Sequence, residues 1–391
     1  SILSVICYLC HNRSQLTDFS ADDGSLHVCP FQTDLPEYYQ PWMSIAMDLP
    51  HLIQTHQVWD RVHKMPLLSI THLEGHREQR MAHLALGFIT MGYVWQEGEH
   101  QPVKTLPRQL AEPYCRVSEA LDMPPILLYA DCVLANWKLR DPAGSVHALL
   151  LNLDTIFKFP GKESCRGFFL VSLLVEQAAC TGMEVGSVPL GMPASPDSRL
   201  HSDESQRRSQ YLVEGSSSFM RTITLMLSLL GHRWKDNPTL PDGLCYEGVF
   251  TRQLRGGSAA QSSSIQCFDA LLGVRQVEAS ADSYLKDIRS YMPPAHRQLI
   301  EVLQHRTPLR SYVQSSGEQD LIDTYDKCVK ALVDLRCYHL QAVTSYVSAP
   351  SKTAYRGDPT PREEKGTGGT DAFHFLKSVR DSTKNVLISP E

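Results

Sequence analysis

Among the side chains able to do chemistry, His339 has the most telling surroundings. In DTYDKCVKALVDLRCYHLQAVTSYV (residues 323–347), Tyr325, Val329, Leu332, Leu335, Arg336, His339, Val343 and Tyr346 recur at three- and four-residue steps. That spacing predicts one long helix with a histidine in an apolar stripe. Such a histidine is either a core residue holding a hydrogen bond or a ligand facing a buried apolar cavity, and most helical histidines bind nothing. The other candidates are weaker. Cys7 and Cys10 form one CxxC with no second pair and no histidines nearby, which is poor support for zinc. His72 and His76 have i, i+4 metal spacing, but Leu73 stands where a zinc protease needs glutamate. The small-residue stretch GGSAAQSS (256–263) lacks the lysine and the preceding strand of a phosphate loop. Its paired glycines let backbone approach something flat or bulky.

The elements that must position these residues read as helices. The 391 residues suffice for two or three domains or one large helical body, and 42% hydrophobic residues can build a sizeable core. A net charge of −6 argues against a general nucleic-acid binder. No basic run suggests a membrane surface, and no apolar run is long enough to span one. Eleven cysteines, an odd number scattered through helical apolar segments, fit free thiols in a reducing compartment, so a cytoplasmic location is expected. The first ten residues lack a cationic start and a small-residue cleavage site, so no secretory signal is expected.

Residues 1–35 read as poorly ordered. A small N-terminal helical domain is expected over 36–160, with helices at 39–51, 52–65, 73–95, 110–121 and 127–137. Pro160-Gly161 marks the boundary. A large helical domain follows over 161–391. It includes a stretch, FFLVSLLVEQAAC (168–180), apolar almost all round and so buried on every side. It also includes a helix over 219–230, one running through Leu272, three more across 281–347, a mobile loop at 349–370 and a closing helix over 371–386. The fold class is all-α with few strands. Large helical bodies with apolar interior helices and a central histidine often enclose a cofactor.

Several segments carry a resemblance. MPPILLYADCVLANW (123–137), GFFLVSLLVE (167–176), WKDNP with YEG (234–248), GGSAAQSS (256–263), YMPPAHR (291–297), LRCYHLQAVTSY (335–346) and KGTGGTDAFHFLKSVRD (365–381) resemble the indoleamine 2,3-dioxygenase family, in order and with similar spacing. The AAQS and SVRD forms are most similar to its second vertebrate branch. The resemblance implies a monomeric haem b enzyme that opens the indole ring of L-tryptophan with O2, giving N-formylkynurenine, the first step of the kynurenine pathway. An electron donor would keep the iron ferrous. It puts the axial iron ligand on His339, which agrees with the need of ferrous haem for one strong protein nitrogen and one open position. Arg336 falls on a residue that meets a haem propionate, and a guanidinium suits a carboxylate. Asp269 falls on the acid near that arginine, Val343 on a haem-wall residue, and Gly257, Ser258 and Ala259 on the loop over the haem edge. The substrate pocket falls on Tyr129, Cys132, Val133, Phe168, Phe169 and Ser172, with catalytic roles for Phe168 and Ser172. The aromatic rings offer flat apolar walls for an indole. The Ser172 hydroxyl can meet dioxygen or substrate, or can bond its own helix backbone. Thr367, Gly368 and Gly369 fall on a mobile lid.

One family element is missing. Members carry an arginine six residues before the tryptophan of the WK motif, which holds the substrate carboxylate. Here Ser228 stands at that distance from Trp234. Arg221 lies about 10 Å further along a helix, too far to substitute without rearrangement. A haem protein of the same descent that binds oxygen or signals without turnover is therefore the competing expectation.

Overall fold

The computed structural model describes residues 34–98, 101–141, 152–186, 240–305, 309–343 and 372–389. The expected helix at 219–230, the loop 349–370, the CxxC and residues 1–33 fall outside them.

Helix α1 (Gln40–Gln54) opens with Pro41 in its first turn and buries Trp42, Ile45, Ala46, Leu49 and Leu52 along one face. The short α2 (Val58–Lys64) follows. The central helix is α3 (Gly75–Trp95), in which every residue from Arg80 to Trp95 is buried. A helix this enclosed must let its neighbours approach closely. Gly92 does so: a Cβ there would come within 2.6 Å of Leu49 on α1. Helix α4 (Arg108–Leu121) packs on α3 and ends at Asp122 in a left-handed conformation.

A helix is expected over 127–137, and the structure differs. After Pro124-Pro125 the chain forms a short π-helix, Ala130–Ala135, one of the rare wide turns that accompany functional sites. Helix α5 (Lys162–Gly186) packs against it. Helix α6 (Ser263–Leu272) starts at the Ser262 hydroxyl, which accepts from the Ile265 amide, and stops at Gly273 with φ 73°. Among the described residues the expected three helices across 281–347 are four: α7 (Ala279–Asp287), α8 (Pro294–His305), α9 (Leu309–Ser316) and α10 (Gln319–Val343). Pro294 opens α8, and Gly317 with φ 68° separates α9 from α10. Helix α11 (Ala372–Lys384) lies against α10.

Strands are few and short. Strand β1 (Thr105–Leu106) pairs in parallel with β4 (Leu244–Tyr246), with Thr105 opposite Cys245. Strand β4 pairs antiparallel with β5 (Phe250–Arg252). A second pair joins β2 (Lys138–Leu139) to β3 (Leu153–Asp154). The principal hydrophobic cluster runs from Tyr39 to Tyr291 and includes elements on both sides of residue 160. Smaller clusters lie where α6 meets α8 and where α10 meets the end of the chain.

Candidate haem and substrate site

The buried stripe of α10 is Tyr325, Val329, Leu332, Arg336 and Leu340. It includes Arg336, as expected, and continues at Leu340 rather than at His339. His339 and Leu335 flank the stripe and are accessible. The expectation of a histidine within the apolar stripe is thus corrected by about one residue position, or 100° around the helix. No hydrogen bond to the His339 ring is present among the described residues. The satisfied core histidine is therefore not what these residues form. Protein around the ring excludes enough water to lower its pKa, and the Arg336 guanidinium lowers it further. The imidazole is neutral at pH 7, with a nitrogen lone pair available to a metal.

Arg336 is expected to meet a haem propionate; among the described residues its carboxylate partner is Asp269. Its Nη2 donates to both Asp269 oxygens at 2.8 Å. Its Nη1 donates to Thr383 and to the Val379 carbonyl on α11. The guanidinium is 9% exposed, so this is a buried ion pair and not a surface one. It ties α10 to α6 and α11, and holds the turn that carries His339.

Helix α6 leads back to the small-residue loop. Gly257 packs on chain ahead of the π-helix: a Cβ there would lie 3.5 Å from the Leu127 carbonyl oxygen and 3.8 Å from the Tyr129 nitrogen. Gln261 closes the loop on itself, donating to the Gly256 carbonyl at 3.0 Å, and accepts from the Tyr129 amide at 2.9 Å. Ser258 caps the short 3-10 turn that includes Ala259 by accepting from the Ala260 amide.

Phe168, Ser172 and Glu176 recur every four residues and share one face of α5. The Ser172 hydroxyl donates to the Phe168 carbonyl at 3.0 Å. Phe169 lies on the next face, buried edge-on against Phe88 in the core. Cys132 and Val133 are buried on the π-helix. Burial, then the neighbouring Asp131 carboxylate, pushes the Cys132 thiol well above its usual range. Burial, then Glu176, does the same to Tyr129. Neither offers an anionic ligand at neutral pH, so among the expected site residues the neutral donor His339 is the one suited to ferrous iron. Thr367, Gly368 and Gly369 lie outside the described residues, as do Ser228 and Trp234. Val343 is the last residue of α10, and its side chain is not described.

Glu176 was not among the expected site residues. It is 6% exposed and accepts hydrogen bonds from the Tyr129 hydroxyl at 2.9 Å and from the Ser262 hydroxyl. One carboxylate thereby joins α5, the approach to the π-helix and the start of α6. Its signal was in the sequence: it is the one acid in the stretch 168–180, and an acid in an apolar helix must find donors.

The described residues form a helical body with a histidine close along α10 to a buried ion pair, apolar and aromatic side chains on α5 and the π-helix, and a glycine loop pressed to the backbone. The chain belongs to the indoleamine 2,3-dioxygenase family, whose model matches residues 16–386. It is 43% identical to the rat protein named indoleamine 2,3-dioxygenase 1, over 97% of each chain. It is 45% identical to the mouse protein named indoleamine 2,3-dioxygenase 2, over 95% of this chain and 94% of that one. These identities do not separate the two vertebrate branches. A Haliotis madaka protein named myoglobin is 34% identical over 94% of this chain and 97% of its own. Members of the family are haem-iron-dependent dioxygenases. No described helix is long and apolar enough to cross a membrane.

Proposed function

We propose that this chain is a haem-dependent dioxygenase that opens the indole ring of L-tryptophan with O2 to give N-formylkynurenine. The observation that carries the reading is His339: an exposed imidazole without a hydrogen bond among the described residues, three residues on from the Arg336 that is fixed by its buried ion pair with Asp269. Haem, when bound, supplies the iron chemistry that activates dioxygen; the protein binds, orients and excludes water. His339 would hold the iron, and the Arg336–Asp269 pair would fix the helix turn that carries it. Tyr129, Cys132, Val133, Phe168 and Phe169 form or back the indole wall, with Ser172 as the hydroxyl on that wall. Gly257, Ser258, Ala259 and Val343 would be among the residues that hold the haem. On the family resemblance, Thr367 and Gly368 would also meet the substrate. An electron donor keeps the iron ferrous, and the chain acts as a monomer in the cytoplasm.

The test is His339→Ala. The purified wild type shows a Soret band and produces kynurenine after deformylation under reducing conditions. The variant loses the histidine-ligated spectrum and the product. An unchanged spectrum in the variant sinks the reading.

A second reading is favoured by two observations. Ser228 stands where the substrate-carboxylate arginine belongs, and the Haliotis relative is named myoglobin. A charge-assisted hydrogen bond contributes about 1.5–3 kcal/mol, so its loss weakens tryptophan selection about ten- to a hundredfold. Reversible oxygen binding with no product even at high tryptophan selects this reading; product formation, with a high KM, selects the first.

A further inference from the structure

Behind the π-helix lies a charged cluster. Arg80 and His83 stand one turn apart on α3, and Asp131 is the second residue of the π-helix. Arg80 is 4% exposed; His83 and Asp131 are fully buried. Arg80 Nη1 donates to Asp131 Oδ1 at 2.8 Å, and His83 Nδ1 lies 3.0 Å from Oδ2. The Leu128 amide donates to the same Oδ2 at 3.0 Å. The outer donors reach backbone: Arg80 Nη2 to the Ala130 carbonyl at 3.2 Å, and His83 Nε2 lies 3.2 Å from the Pro124 carbonyl. Burial alone would raise the Asp131 carboxyl's pKa, but His83 and Arg80 outweigh it and hold the group below its usual range.

Stability does not explain this arrangement. Charges this deep are costly to desolvate, and well-packed apolar residues commonly do as well or better. What the cluster does is fix geometry. It grips the chain at Pro124, Leu128, Ala130 and Asp131, immediately before Cys132 and Val133. A π-helix is a disfavoured conformation and persists where its surroundings over-determine it. The cluster supplies that constraint from the rigid central helix, on the side of the π-helix facing α3.

We propose that Arg80, His83 and Asp131 are positioning residues: they hold the Ala130–Ala135 π-helix in place and thereby set how Cys132 and Val133 present the wall against which the indole lies. The second half of this inference rests on the functional reading above; the first half does not.

The experiment uses Asp131→Asn, close in shape but uncharged, with His83→Gln as a milder change that keeps the Arg80–Asp131 pair and covers the case in which the first variant does not fold. Hydrogen exchange on the full chain is measured first. Amides of residues 130–135 are expected to exchange on the order of tenfold faster than in wild type, with the α1–α3 core unchanged. Protection unchanged at 130–135 in the folded variants overturns the proposal, whatever the chain binds. Haem-loaded protein is then examined with carbon monoxide as probe. Haem content and the histidine-ligated ferric spectrum are expected to match wild type, while the C–O stretch shifts or broadens and KM for tryptophan rises about fivefold with less change in kcat. A C–O band identical in position and width to wild type overturns the link to the wall. Wild type that binds no haem removes the functional reading and leaves the exchange result to decide the positioning claim.

Discussion

His296 makes the protein sensitive to acid in a way that can be calculated. It lies on α8, 6% exposed, with Nδ1 2.8 Å from the Ser263 hydroxyl. Burial, and then the positive Arg80, lower its pKa from 6.5 to about 4. The folded chain therefore keeps this ring neutral at pH values where an unfolded chain would protonate it. The stabilisation is fully present above pH 6.5. It is lost as pH falls, because the unfolded state gains a proton the folded state refuses, and the loss ends near pH 4 where both forms are protonated. At 1.36 kcal/mol per unit across about 2.5 pH units, the loss reaches about 3 kcal/mol. Urea unfolding followed by tryptophan fluorescence, at several pH values, gives the curve. His296→Asn removes the titrating ring, so the stability gap between wild type and variant narrows by about 3 kcal/mol from pH 7 to pH 4. A gap that stays constant with pH, or an NMR titration placing the His296 midpoint at 6 or above, refutes the reasoning.

Two further substitutions test the ties around the site. Asp269→Ala leaves the Arg336 guanidinium buried without its carboxylate and costs about 3–5 kcal/mol by denaturant unfolding, with reduced haem recovery; a cost below 1 kcal/mol would mean that Thr383 and Val379 suffice to hold the arginine. Glu176→Leu strands the Tyr129 and Ser262 hydroxyls and costs about 1–3 kcal/mol for each, whereas Glu176→Gln keeps an acceptor oxygen and costs less. Equal losses in the two variants would show that the carboxylate's hydrogen bonds contribute little.

The residues most legible in the sequence were those whose signal is local. Helical periodicity placed α10 and α3 within a few residues, because a stripe of apolar side chains at 3.6-residue spacing is written along one element. The contact between Arg336 and Asp269 followed from the family likeness, and the structure brings them together at 2.8 Å. The π-helix was not legible, since its apolar residues read equally well as an α-helix, and the wide turn is imposed from α3. The stripe on α10 was read rightly at Tyr325, Val329, Leu332 and Arg336 and wrongly towards its end, where Leu340 is buried and His339 is not; Arg336 can lie buried because Asp269, 67 residues earlier, pairs with it.

Two kinds of information therefore meet at this site. The long motifs identify what the family holds, and they depend on residues that line a group. The two acids that the motifs contain without drawing notice, Asp131 and Glu176, do something else: each accepts donors from more than one element, and each lies directly behind a residue expected to touch the indole. Asp131 precedes Cys132 and Val133, and Glu176 takes the hydroxyl of Tyr129. An apolar pocket has little directional bonding of its own, since dispersion and burial are nearly isotropic. The directional bonds that fix its shape must then come from behind the lining. The absence of the arginine that the family resemblance expects at position 228 touches neither acid. Haem retention and wall geometry are thus expected to survive a change that impairs tryptophan selection, which is why oxygen binding without efficient turnover is the outcome that the assay under reducing conditions must distinguish.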